Sequence, residues 1–94
     1  MNITETLSAF GSTLEIDHIP AGVTERACLL IADSVGVAIR ARKEAESTPA
    51  LLAAVEQMGM TGGDGRVFAD SRGYAFPAAA LINGTLIHSL DFDD

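Results

Sequence analysis

The run Ala27-Cys-Leu-Leu-Ile-Ala-Asp-Ser-Val-Gly-Val-Ala-Ile39 constrains this chain more than any other stretch, because it is apolar almost all the way round a helical wheel. Only Asp33, Ser34 and Gly36 interrupt it. It is too short and too broken to cross a bilayer, which takes about 20 apolar residues. A helix greasy on every side belongs in the middle of a bundle. Asp33 inside such a helix must find hydrogen-bond donors or shift its pKa, so it is expected to be a buried carboxylate tying backbone or a helix end, with a catalytic carboxylate as the rival reading. Gly36 costs about 1 kcal/mol of helix stability relative to alanine, which predicts close helix packing there. Cys28, the single cysteine, lies in the same run and reads as a small core residue in a reducing compartment rather than a nucleophile.

The other elements follow from period and punctuation. Ile3, Leu7, Phe10 and Leu14 recur at helical spacing, with Thr4, Glu5, Ser8 and Ser12 opposite them, giving a first amphipathic helix over residues 2–14. Residues 15–20 form a connector in which His18 is an exposed loop histidine, and Pro20 opens the second helix. Arg40, Arg42 and Lys43 close that helix, where cations complement the dipole. Ser47 or Thr48 is the expected N-cap of a third helix with Pro49 at its first position and Leu51, Leu52, Val55 and Met58 as its buried stripe. The glycine-rich run Gly59–Gly65 lacks the Gly-Lys-Ser/Thr ending of a phosphate loop and reads as a flexible turn. A short β-hairpin is expected at about residues 66–76, with strands Arg66–Ala69 and Tyr74–Phe76 around Asp70–Gly73. A last helix starts at Pro77 and runs to about Leu90. The fold class is therefore mainly α, the N-terminal part of an all-helical bundle with one hairpin.

Composition narrows the function classes. The chain has 94 residues, 48% of them hydrophobic, with a formal net charge of −7. A domain of this size buries only about 60–65% of its unfolded surface, so there is more apolar material than a lone copy can hide. Another chain or a further C-terminal part is expected to cover the surplus. The acidic balance and the lack of a basic cluster exclude a nucleic-acid partner. No basic segment followed by an apolar one opens the chain, so no signal peptide and a cytoplasmic location are expected.

Most site-like chemistry is gathered at the end. On a helical period Ala80, Gly84, His88 and Asp91 share one stripe. Asp91, Asp93 and Asp94 crowd a helix C-terminus where the dipole is already negative, and a broken rule of that kind marks a site. Two readings of the acidic run are weak. It offers hard oxygen ligands but lacks the glycine and distal glutamate of a calcium loop, and its Asp-x-Asp-Asp pattern is shared with terpene cyclases that nothing else here matches.

A resemblance carries further. Asn83-Gly84-Thr-Leu-Ile-His88-Ser-Leu-Asp91-Phe-Asp93-Asp94 resembles the signature of the MmgE/PrpD family, which includes 2-methylcitrate dehydratase, cis-aconitate decarboxylase and iminodisuccinate epimerase. Asp33-Ser34-Val35-Gly36-Val37-Ala38 is similar to the family's Asp-Thr/Ser-x-Gly-Val-Ala segment, in the same order and at a similar separation. Arg40-Ala41 departs from the small residue and glycine of many members, a difference expected to touch only the turn after the second helix. The resemblance implies a largely helical domain, a homodimer, no metal or cofactor, and proton transfer next to a carboxylate of a small di- or tricarboxylate substrate. It implies that Asp91 lines the active site and that His88 belongs to the motif in a structural role, oriented by Asp91. The family's catalytic histidine and site lysines match no position here, so a fragment inactive alone is expected. The rival from another class is a small acidic helical module that self-associates without catalysis.

Overall fold

The computed structural model describes residues 2–90. Its elements are α1 (Ile3–Thr13), a 3-10 turn (Ile16–His18), α2 (Ala21–Glu44), α3 (Ser47–Gln57), β1 (Thr61–Arg66), β2 (Gly73–Tyr74) and α4 (Phe76–Ser89). The mainly helical class with one antiparallel hairpin is as expected. α2 and α4 form the main helix contact, and α3 and the hairpin close round α4. Ala38, Ala41 and Ala45 from the C-terminal half of α2 meet Val55, Val67, Tyr74, Ala78, Ala79, Ile82 and Leu86 in one core. Small side chains on both α2 and α4 let their backbones approach, so the large apolar residues fill the space beside the crossing rather than holding it open.

Local chemistry explains the ends. Asn2 caps α1 by accepting from the Glu5 N–H at 2.8 Å, and Glu5 accepts in return from the Asn2 N–H at 3.3 Å, a capping box. Pro77 sits in the first turn of α4, where its missing N–H is no loss. The expected cap of α3 differs. The helix begins at Ser47, after a Glu46 already in helical conformation that makes no capping bond. The Thr48 hydroxyl instead donates to the Ala41 carbonyl at 3.0 Å, a second bond to an oxygen that also accepts from the Ala45 N–H at 3.0 Å, and so ties the start of α3 to the end of α2. Arg40 and Ala41 lie within α2 and not in a turn after it; Ala41 is fully buried, and Arg40 pairs with Glu44 at 2.7 Å.

The glycine run is the clearest departure from expectation. It is no loose turn: Thr61–Arg66 is the first hairpin strand, paired to Gly73–Tyr74 through a bulge, whereas Val67–Ala69 leave the ladder and Phe76 already belongs to α4. A β-carbon at Gly63 would fall 2.5 Å from the Tyr74 carbonyl oxygen, and one at Gly65 would fall 2.7 Å from that oxygen and 2.8 Å from Ala79 Cβ. Glycine is used here because the strand touches both its partner strand and α4.

α2 is not enclosed. Val23, Leu29, Leu30 and Ile31 are exposed, Leu29 at 64%, and so are Cys28, Asp33 and Gly36. The buried carboxylate, core cysteine and close packing expected there are absent because no described element of this chain covers that flank. A β-carbon at Gly36 would meet nothing within 4 Å. The apolar stripe of α1 is uncovered too, with Ile3 79% and Phe10 63% exposed, and Met58 at the end of α3 points outward. No described helix is long and apolar enough to cross a membrane.

These environments make opposite predictions for two glycines. In urea unfolding, Gly65→Ala is expected to lower stability by about 1–3 kcal/mol through overpacking. Gly36→Ala is expected to raise it by roughly 0.5–1 kcal/mol, because only backbone entropy changes at an open helical position. A destabilising Gly36→Ala would mean that the α2 flank is covered in solution.

Candidate functional site

α4 sorts its residues by face. Ala78, Ala79, Ile82 and Leu86 are buried against α2 and the hairpin, while Ala80, Gly84 and His88 are exposed. The described part of the predicted stripe thus forms one outward surface. With Leu81, Thr85 and Ser89 it lines an open hollow along the last turns of the helix. Small residues at positions 80 and 84 make the hollow, and His88 supplies its imidazole. The Thr85 hydroxyl is turned back to the Leu81 carbonyl at 2.8 Å, and the Ser89 hydroxyl donates to the Thr85 carbonyl, so both bond back to the preceding turn of their own helix. Asp91, Asp93 and Asp94 lie outside the described residues.

The other sequence candidates do not join this face. Asp33 lines a separate hollow with Ala32, Gly36, Val37 and Arg40 on α2. His18 is exposed on the 3-10 turn, beside an apolar hollow walled by Phe10, Leu14, Ile19, Pro20 and Val23. Among the described residues no group of three or more His, Cys, Asp or Glu is placed to hold a metal ion.

A polar centre that motif reading missed lies at the hairpin. The side chain of Asp70 is only 4% exposed. Its Oδ2 accepts from the Tyr74 hydroxyl at 2.7 Å and lies 3.2 Å from Arg42 Nη2 and 3.4 Å from Arg72 Nη2. Its Oδ1 accepts from the Arg72 backbone N–H at 2.9 Å. Burial alone would raise the Asp70 pKa, but donation from Tyr74, from the Arg72 backbone and side chain, and from Arg42 outweighs it and holds the carboxyl well below the usual carboxylate range. The Tyr74 phenol is pushed up, by burial first and then by its bond to the Asp70 charge. The Arg72 guanidinium stacks 5.4 Å from the centre of the Tyr74 ring. The available signal was Asp70-x-Arg72-x-Tyr74, an acid with an arginine and a tyrosine at alternate positions, but Arg42 is 28 positions away in sequence.

A helical domain whose last helix turns a small-residue and histidine face outward, braced by a hairpin on its other side, is what fold and site together define. The chain matches the MmgE/PrpD N-terminal domain over residues 5–94 and belongs to that family. Comparison with curated proteins and with solved structures gave no match.

Because Asp70 is charged at lower pH folded than unfolded, its contribution is full above the unfolded aspartate pKa of about 3.9 and is lost as pH falls below that value. Asp70→Asn is expected to cost about 1.5–3 kcal/mol at pH 7, as a charged acceptor of several hydrogen bonds is replaced. It is also expected to flatten the decline of stability between about pH 5 and pH 2. Urea titrations across that range check both; an unchanged acid limb in the variant would assign the decline to other carboxylates.

Proposed function

We propose that this chain supplies one wall of the active site of a MmgE/PrpD-type lyase or isomerase acting on small di- or tricarboxylates, and that residues 1–94 are the N-terminal part of that helical domain. The reaction class is dehydration, decarboxylation or epimerisation, each moving a proton at a carbon beside a carboxylate. Asp91 follows the exposed α4 face and lines the substrate cavity; His88 shapes the same wall without acting as the base. The observation that carries this reading is the family match, which includes the whole of that helix.

Charge placement explains why the wall does no chemistry alone. Holding a substrate with two or three carboxylates takes converging cations, and stabilising the enolate formed at the neighbouring carbon takes preorganised donors. No described cation lines the hollow beside His88. Arg40 is paired with Glu44, and Arg42 and Arg72 with Asp70. The remaining cations and the general base come from other parts of the complete protein, in keeping with the family resemblance.

A second reading is favoured by the bare apolar flank of Ile3, Leu7 and Phe10 on α1 and Leu29, Leu30 and Ile31 on α2. In it the chain is a self-associating helical module without catalysis. A homodimer is proposed under either reading.

The purified chain is expected to turn over neither methylcitrate, cis-aconitate nor iminodisuccinate above a blank. Placed in an active family lyase instead of that enzyme's N-terminal domain, it is expected to support turnover, with Asp91→Asn lowering kcat/KM by about tenfold to a hundredfold. Normal kinetics for the Asp91 variant in an active chimera would remove Asp91 from the site. Light scattering after size exclusion tests the other reading, which a monomer with a cooperative melt would exclude.

A further inference from the structure

We infer that Asn83 is a positioning residue: its carboxamide fixes the rotation of α4 about its own axis and so aims the Ala80–Gly84–His88 face outward. What that face does in catalysis rests on the proposed function; how it is held does not.

The side chain of Asn83 bonds backbone in both directions. Oδ1 accepts from the Phe68 N–H at 3.0 Å, and Nδ2 donates to the Arg66 carbonyl at 2.8 Å. These two backbone groups flank Val67, whose side chain is buried. An N–H and a C=O spaced in this way are the pair an antiparallel neighbour strand would satisfy. β2 is only Gly73–Tyr74, and its pairing with β1 ends at Arg66. One donor and one acceptor on a planar amide take the place of the missing strand.

α4 gains from this directional contact because burial fixes its orientation only in part. Leu81, exposed at 52%, is as apolar as the fully buried Ile82 next to it, whereas Ile87, beside the fully buried Leu86, already packs partly buried against the core. Hydrophobic burial is non-directional, so a neighbouring rotation that set Leu81 in the place of Ile82 would keep that part of the burial, while setting Thr85 in the place of Leu86. A slip of one residue turns the helix by about 100° and moves it about 1.5 Å, enough to carry the His88 stripe off the open surface. The amide of Asn83 reaches Arg66 and Phe68 in only one of those rotations. Gly84 and His88, one and five positions on, inherit their direction from it.

Nitroxide labels on the exposed Cys28 of α2 and on Ala80→Cys of α4, which leaves Leu81 in place, report this rotation in the full chain, diluted with unlabelled protein so that only distances within one chain are read. Asn83→Ala is expected to broaden the distance distribution about twofold, the spread that mixing rotations about 100° apart introduces. Val55→Ala, a core truncation on α3, serves as the control for general loosening and is expected to leave the distribution narrow. If Asn83→Ala does not fold, Asn83→Ser, which keeps one hydrogen-bonding group, is read against the same control. An unchanged distribution in the Asn83 variants overturns the inference, and so does equal broadening in Val55→Ala.

Discussion

The fold depends on a buried carboxylate at a corner. Asp70 gathers Arg42 from the end of α2, Arg72 from the hairpin loop and Tyr74 from β2, and so ties the longest helix to the strand pair. Burying a charge is costly unless its lone pairs are used, and here both oxygens accept from charged or strongly polar donors. Apolar contacts alone would bring α2, α4 and the hairpin together without deciding how they meet. The Asp70 centre settles the α2 end of that geometry, and Tyr74, fully buried, carries it into the core.

From that corner the arrangement passes to α4. The glycines of β1 allow the strand to lie against both β2 and Ala79, and Asn83 grips the backbone just beyond the strand. α4 is thus seated by close backbone approach on one side and small-residue packing against α2 on another. The consequence for function is that the surface left free is a defined one. It carries small residues and His88 and leads directly to the acidic run that begins at Asp91.

The molecule is uneven in how well it covers itself. The core lies between the C-terminal half of α2, α3, the hairpin and α4, whereas α1 and the first turns of α2 present apolar side chains to solvent. Contiguous exposed apolar surface is the feature that interaction sites of proteins share.

Sequence by itself determined the four helices, the presence of a hairpin and the common face of Ala80, Gly84 and His88, because period, proline position and cap chemistry act within a few residues. The family, too, was legible in the order of motif residues. Tertiary structure alone decided the rest. Gly63 and Gly65 became strand because Tyr74 and Ala79 lie against them, a closeness no local rule encodes. Asp33 and Cys28 stayed exposed although their helix is apolar all round, since burial needs a partner surface and periodicity does not say which one arrives. Asp70 and Arg42 became partners across 28 positions, and Asn83 reached back to Arg66 and Phe68. Such contacts are set by how elements dock, and docking is a property of the whole chain.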